Sequence, residues 1–197
     1  MLEVCVDSVE SAIAAFEGGA DRIELCGDLP VGGVTPSETL FCMIRRYTDL
    51  KIRVLLRPRF GDFCYSSYEL EMMKEDVQKF AELKAQGIVT GVLTPQGSLD
   101  MEQMEGLISC AGKADIALHR AFDVCKNPLE TMEDAISLGI KTILTSGQKN
   151  SAWEGRALLK ELATKSKDRI EILAGAGIDA DTIAKLYKET RSEEHTS

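Results

Sequence analysis

Residues that can bind metals, hold anions or move protons recur along this chain at the ends of short apolar runs. Thiols and carboxylates can bind cations, guanidinium groups can hold anions, and an imidazole can transfer a proton. In chain order these positions are Cys5 and Asp7, Glu24 and Cys26, Arg57 and Arg59, Thr94, His119 to Asp123, Thr145 and Ser146, and Gly175 to Gly177. A site assembled from many strand ends is typical of a parallel β/α barrel.

The elements that would position these residues follow the same pattern. Continuous apolar runs suited to burial on both faces alternate with stretches of helical periodicity, which predicts seven β/α units and a TIM-type (β/α) barrel. The expected strands lie near residues 2–6, 22–26, 52–57, 88–93, 115–120, 141–146 and 170–175. Alternate residues of each strand should then point into the barrel, including the polar groups at the strand ends.

The first helix shows how the helices are expected to form. Asp7 can cap its start with Glu10 three residues later, and Val9, Ile13 and Phe16 have the spacing of a buried stripe.

The carboxyl-terminal part of the chain departs from the pattern. Residues 1–190 are expected to form a single domain, whereas 191–197 follow the last helix directly and lack the residues favoured in strands. We expect a foreign or truncated tail and no eighth strand. Open edges on the first and seventh strands would then make the chain prone to association.

Charge and composition limit the classes of partner. The 197 residues carry 32 acidic and 23 basic side chains, a net charge of -9, which gives no overall attraction to nucleic acid or anionic lipid. No apolar run approaches the length of a membrane span, and the first strand leaves no room for a signal peptide. We therefore expect a cytoplasmic protein with a small-molecule or metal-ion partner, whose six cysteines are free thiols.

Two arginines follow the third strand. Arg57 and Arg59 stand at alternate positions and can grip a carboxylate or phosphate through their planar guanidinium groups. The alternative is that they neutralise Glu3 and Glu24 in a structural network.

One histidine, His119, ends the fifth strand. With Asp123 or Glu24 nearby it can act as a general acid or base, because its usual pKa lies near neutral pH. The alternative is a hydrogen-bonded histidine of the core.

Two glycine-containing loops follow the sixth and seventh strands. Gly175 and Gly177 could cradle an anion on backbone N–H groups ahead of a helix, with Ser146 and Gly147 alongside. Their glycines could equally serve only to turn the chain tightly.

Two thiols stand near the ends of the first two strands. Soft thiolates favour Cu(I), and the pair Cys5 and Cys26 could bind one ion linearly, whereas zinc would need four ligands. Buried cysteine is also a common small hydrophobic residue, and the residues alone favour that inert role.

Together these motifs resemble the CutC copper homeostasis family over nearly the whole chain up to about Thr190. The segments that carry the resemblance are residues 3–8, 19–26, 32–37, 57–63, 119–123, 144–147 and 174–177. The resemblance implies a cytoplasmic TIM-type barrel that forms homo-oligomers, binds copper and contributes to copper tolerance. It makes Cys5 and Cys26 the natural copper ligands.

The leading hypothesis is therefore a Cu(I)-binding protein with Cys5 and Cys26 as ligands. The rival is an enzyme acting on a small phosphorylated or carboxylated metabolite, with the anion on Arg57 and Arg59 and the proton moved by His119. A third hypothesis, a scaffold that binds another protein, has no basic stripe, heptad or exposed apolar run in its favour.

Overall fold

Parallel strands alternate with helices throughout a computed structural model that describes residues 1–179, 181–190 and 194–196. The strands are β1 (Leu2–Val6), β2 (Arg22–Leu25), β3 (Lys51–Leu55), β4 (Gly87–Thr90), β5 (Asp115–Leu118), β6 (Thr142–Thr145), β7 (Glu171–Ala174) and β8 (Glu194–Thr196). The helices are α1 (Val9–Glu17), α2 (Glu38–Tyr47), α3 (Ser67–Glu82), α4 (Met101–Cys110), α5 (Pro128–Ser137), α6 (Arg156–Ser166) and α7 (Ile183–Thr190). Each strand pairs in parallel with the next, and β8 pairs with both β7 and β1 to close a barrel. The TIM-type barrel with seven β/α units is confirmed.

The expected absence of an eighth strand is corrected by β8. Leu2 and Glu3 of β1 are in register with His195 and Thr196, while Leu173 and Ala174 of β7 are in register with Glu194 and His195. Backbone N–H and C=O groups on the facing edges of β1 and β7 can pair with almost any extended segment, so side-chain propensity is a weak guide here. The open edges, and the association inferred from them, therefore have no structural basis. Residues 191–193 and 197 lie outside the described part, and the interpretation of 191–197 as a foreign tail stays a prediction.

Side chains divide between two cores according to strand parity. Residues such as Ile23, Val54 and Ile143 face outward and are buried between the barrel and its helices. The alternate residues face inward, and a separate apolar cluster of Cys26, Leu55, Val89 and Ala117 fills the barrel interior. The sequence alternation therefore decides which residues meet inside.

A charged network fills the amino-terminal half of the interior. The buried carboxylate of Glu3 accepts a hydrogen bond from Arg22 Nε and lies 3.6 Å from Arg53 Nη1. Arg53 Nη2 donates to Thr142 Oγ1 at 2.8 Å, and that hydroxyl donates to Glu171 Oε2 at 3.1 Å. These contacts keep charges inside the barrel by pairing them, as burial requires.

Helix α1 begins one residue later than expected. Ser8, not Asp7, caps it, because the Ser8 hydroxyl accepts from the backbone N–H of Ser11 and the Ser11 hydroxyl accepts from the backbone N–H of Ser8. The buried positions are consequently Ala12 and Ala15, and Phe16 is exposed. A shift of one residue turns the apolar stripe by about 100°.

The loop after β6 crosses the start of α6 so closely that only glycine fits. A Cβ atom on Gly155 would overlap the carbonyl oxygen of Ser146 and lie 2.8 Å from Gly147 Cα. We expect Gly155→Ala to lower the free energy of unfolding by at least about 2 kcal/mol, because backbone atoms must move apart. Urea unfolding followed by circular dichroism measures this.

The matched control is Gly106→Ala in α4, where the new Cβ would meet only the flexible end of Lys74 at 3.1 Å. That change should be neutral or stabilising by up to about 1 kcal/mol, since alanine favours helix. Equal stability of the two variants would contradict the close crossing.

Barrel closure by β8 gives a second prediction. A chain shortened to end at Thr190 lacks both β8 pairings, so it should lose about 2 kcal/mol or more, the contribution of a few backbone hydrogen bonds. Its open edges should also favour association, which size-exclusion chromatography with light scattering would detect. Unchanged stability and mass would show that β8 contributes nothing to closure.

Candidate functional site

The candidate site lies at the carboxyl-terminal mouth of the barrel, where active sites of this fold are built from strand ends and the loops that follow them. Inward parity brings Cys5 on β1, Cys26 just after β2, Arg57 after β3 and His119 after β5 to this end of the interior. The loops after β6 and β7 carry the remaining predicted residues.

Cys5 and Cys26 form a close thiol pair. The two side chains are close enough to interact electrostatically. Cys5 Sγ also lies 3.6 Å from Thr196 Oγ1, and Cys26 Sγ lies 3.7 Å from Glu24 Oε1. Strand register explains the cluster, because Cys5 stands beside Glu24 on the paired strands and Cys26 follows two residues later.

The pKa values of the two thiols are shifted in opposite directions. The hydrogen bond from Cys26 lowers the pKa of Cys5, whereas donating that bond, together with burial, raises the pKa of Cys26. Burial, followed by the charges of Cys5 and Glu3, raises the pKa of Glu24 well above its usual value. Cys5 is therefore the thiol of the pair that loses its proton more readily, and burial disfavours ionisation of Glu24.

The loop after β2 covers the thiol pair. A Cβ atom on Gly33 would lie 2.7 Å from Leu55 Cδ2 and 3.5 Å from Cys26 Sγ, so the glycine backbone rests directly on the interior. Leu29 of the same loop packs against the inner apolar cluster. This cover separates Cys26, which is 2% exposed, from solvent.

Arg57 holds that cover in place. Its Nη1 donates to the carbonyl oxygens of Gly32 and Gly33, both at 3.3 Å, and its Nη2 donates to the carbonyl of Gly61 at 2.9 Å. The guanidinium also lies over the Phe63 ring, 5.0 Å from its centroid. Only Nε, which is buried, has no partner among the described residues.

Arg59 is directed away from Arg57. Its Nε donates to Glu69 Oε1 at 2.6 Å, and its Nη2 donates to Asp62 Oδ1 at 3.1 Å and to the Cys64 carbonyl at 3.0 Å. Arg59 therefore organises the loop after β3, and the structure does not bring the two arginines together around one ligand.

His119 is buried and neutral. The backbone N–H of Ala121 donates to Nδ1 at 3.2 Å, which places the imidazole proton on Nε2, and Nε2 has no partner among the described residues. Burial, helped by the positive charge of Arg57, lowers the pKa of His119 to about 3. Gly91 makes room for the ring, since a Cβ there would lie 2.8 Å from Nδ1.

Asp123 contacts the loop after β6 and not His119. Its carboxylate accepts hydrogen bonds from Thr145 Oγ1 at 2.5 Å, from Ser146 N, from Gln148 N and from Arg120 Nε, and it lies 3.0 Å from Ser146 Oγ. The Ser146 hydroxyl in turn donates to the Lys149 carbonyl at 2.5 Å. Asp123 thus fixes the loop that contains Ser146 and Gly147.

Gly175 and Gly177, in the loop after β7, differ in burial. Gly175 is buried, and a Cβ there would lie 2.6 Å from Leu144 Cδ1 and 2.8 Å from Thr196 Cγ2, so it allows the inner wall to close. Gly177 is exposed with a φ of +69°, next to Ala176 at +79°. An anion-binding role for either residue stays a prediction.

The donors present suit a soft monovalent metal better than a tetrahedral one. Within residues 1–179, 181–190 and 194–196, no group of three or more histidine, cysteine, aspartate or glutamate side chains is arranged to hold a metal ion. Two thiols can coordinate Cu(I), whereas structural zinc sites use four ligands. All six cysteines are free thiols in the described structure.

Sequence reasoning missed two residues of the mouth. Tyr65, in the loop after β3, has a buried hydroxyl without a partner, and burial raises its pKa to about 12. Its position in an irregular loop gave no periodic signal. Thr196 lies in a segment without the residues favoured in strands, so its sequence gives no sign that it reaches the barrel mouth.

Comparison with known proteins gives the family. The CutC family matches residues 1–197. A CutC family protein of Pasteurella multocida (strain Pm70) is 46% identical over 189 residues, which cover 96% of this chain and 78% of that protein. A CutC family protein of Bacteroides fragilis (strain YCH46) is 44% identical over 195 residues, covering 98% of this chain and 78% of the relative.

A solved structure agrees with these relatives. The crystal structure of a proposed copper homeostasis protein, CutC from Streptococcus agalactiae, superposes with a TM-score of 0.95 at 29% identity, covering 100% of this chain and 97% of that one. In the part of this chain that the structure describes, no helix has the length and apolar character needed to cross a bilayer. By sequence and by structure, the chain belongs to the CutC family.

Proposed function

We propose that this chain binds Cu(I) through Cys5 and Cys26 and serves in copper homeostasis. The observation that carries the proposal is that strand register brings two thiols together inside the barrel mouth, where Cys26 is buried and the pKa of Cys5 is lowered. Membership of the CutC family supports it, as does the copper homeostasis role proposed for the Streptococcus agalactiae protein.

The surroundings of the pair suit a captured Cu(I) ion. Metal binding replaces the proton that the thiols share, so the Cys5 thiolate and a deprotonated Cys26 would be the ligands. The loop cover held by Arg57 excludes water and competing thiols from Cys26. The raised pKa of Glu24 disfavours a further negative charge beside the site.

The cytoplasm is the proposed compartment, because the site requires reduced thiols and reducing conditions preserve them. A homo-oligomer, implied by the family resemblance, stays a prediction.

The alternative function is an enzyme acting on a small phosphorylated or carboxylated metabolite. Arg57 and His119 each keep an unpartnered nitrogen at the mouth, which favours some ligand there. The remaining parts of that hypothesis have less support, since Arg59 is occupied by Glu69 and Asp62, and Asp123 does not contact His119.

The copper proposal predicts tight one-to-one Cu(I) binding that depends on both thiols. In an anaerobic competition titration against a colorimetric Cu(I) chelator, Cys5→Ser, Cys26→Ser should bind more than about a hundredfold more weakly than the parent chain. Even the loss of an outer-shell contact commonly costs 10–100-fold in metal affinity, and here both ligands are removed.

The matched control is Cys42→Ser, Cys110→Ser, which removes two half-buried thiols from α2 and α4. It should bind Cu(I) like the parent chain, with circular dichroism confirming the fold of both variants. Equal Cu(I) affinity in the two double variants would reject Cys5 and Cys26 as the ligands.

The neutral state of His119 gives a pH prediction that bears on the enzyme alternative. Its pKa falls from 6.5 to about 3 on folding, so below pH 6.5 the unfolded chain takes up a proton that the folded chain does not. The buried neutral His119 therefore does not lower the free energy of unfolding above pH 6.5. As the pH falls from 6.5 toward 3, it lowers that free energy by up to about 1.4 kcal/mol per pH unit. Urea unfolding should show a flatter acid-side pH dependence for His119→Gln than for the parent chain.

Only the slopes are compared, because His119→Gln can also change stability uniformly. Imidazole NMR shifts of His119 provide a second readout and should stay constant from about pH 8 to pH 5. A titration midpoint near pH 6.5 would contradict the buried neutral imidazole and would favour His119 as a proton carrier.

A further inference from the structure

Apart from Glu24 Oε2 beside the thiols, three buried polar groups at the barrel mouth have no hydrogen-bond partner among the described residues. They are Arg57 Nε, the Tyr65 hydroxyl and His119 Nε2. Arg57 is 8% exposed and His119 4% exposed, so solvent hardly reaches either side chain. Buried polar groups are nearly always paired, and leaving one unpaired is costly, so three together indicate an absent acceptor.

The three groups surround one aromatic ring. The Arg57 guanidinium carbon lies 5.0 Å from the Phe63 centroid, and the His119 ring centroid lies 4.8 Å from it. Tyr65 follows Phe63 by two residues and lies close enough to Arg57 to interact with it. The groups therefore belong to one cluster, the mouth donor cluster, formed by Arg57, Tyr65 and His119 beside Phe63.

All three groups present a hydrogen. Arg57 Nε is a donor in every protonation state that proteins show. His119 accepts the Ala121 N–H on Nδ1, so Nε2 carries the ring proton. Tyr65 keeps its phenolic proton because burial raises its pKa to about 12. A ligand for this cluster must supply acceptor oxygens.

The cluster carries a single positive charge. The two Nη atoms of Arg57 already bind the carbonyl oxygens of Gly32, Gly33 and Gly61, so a bidentate grip through them is unavailable. Arg59 lies over the Tyr65 ring, 5.4 Å from its centroid, but it is already paired with Asp62 and Glu69. One unpaired cation with two neutral donors matches a singly charged oxyanion, whereas a phosphate dianion would leave excess negative charge in a chain of net charge -9.

We propose that the mouth donor cluster binds a small monocarboxylate, whose oxygens accept from Arg57 Nε, Tyr65 Oη and His119 Nε2. This site is distinct from the Cys5 and Cys26 thiols, and it does not depend on copper binding. His119 acts in it as a neutral donor and positions the ligand without taking up a proton.

The test uses acetate, glycolate and pyruvate as probes, with acetamide and inorganic phosphate as comparisons at matched ionic strength. We expect at least one carboxylate to raise the melting temperature and to shift the His119 Nε2–H resonance. Acetamide and phosphate should do neither. The Cys5→Ser, Cys26→Ser variant should bind the same carboxylate unchanged, which separates this proposal from the copper site.

Tyr65→Phe, which removes only the hydroxyl, should weaken carboxylate binding about tenfold, the usual effect of one hydrogen bond to a charged group. The control is Tyr68→Phe on the exposed start of α3, which should bind like the parent chain. The proposal is overturned if no carboxylate shifts the His119 resonance, if acetamide or phosphate binds equally well, or if the two tyrosine variants have the same affinity.

Discussion

In a closed parallel barrel every second strand residue points into a packed interior that water does not fill. Each charged group there therefore needs a partner from the protein or from a ligand. In the amino-terminal half, Glu3 meets Arg22 and Arg53, and the hydrogen bonds continue to Thr142 and Glu171. Opposite charges lie side by side here, although Glu3 Oε1 and Arg53 Nη1 have no hydrogen-bond partner among the described residues, so this half of the barrel is a structural base.

The carboxyl-terminal half is built from the same alternation and places two kinds of donor at the barrel mouth. The thiols of Cys5 and Cys26 lie close together, while Arg57 Nε and His119 Nε2 have no partner among the described residues. Burial without pairing is costly, and such groups are expected where a ligand completes them. The carboxyl-terminal half therefore holds two separate donor sets: soft sulfur ligands, and hydrogen-bond donors suited to oxygen.

Much of this arrangement could be predicted because strand parity has a period of two and strand ends converge in a parallel barrel. Strand parity predicts that Cys5 lies near Cys26 and that Arg57 and His119 point into the barrel. It could not predict contacts made in loops, where no period applies, so Asp123 binds the loop after β6 and not His119. It also missed β8, because backbone groups on two open edges can pair with a segment of low strand propensity.

The most direct test of the account is the copper coordination itself. X-ray absorption at the copper edge, on the chain loaded with one equivalent of Cu(I) without oxygen, reports the number and type of the nearest ligands. Coordination by Cys5 and Cys26 predicts two sulfur neighbours and no nitrogen, because the two thiols lie close together inside the barrel mouth. Coordination by nitrogen or oxygen, or a spectrum unchanged in the Cys5→Ser, Cys26→Ser variant, would contradict it.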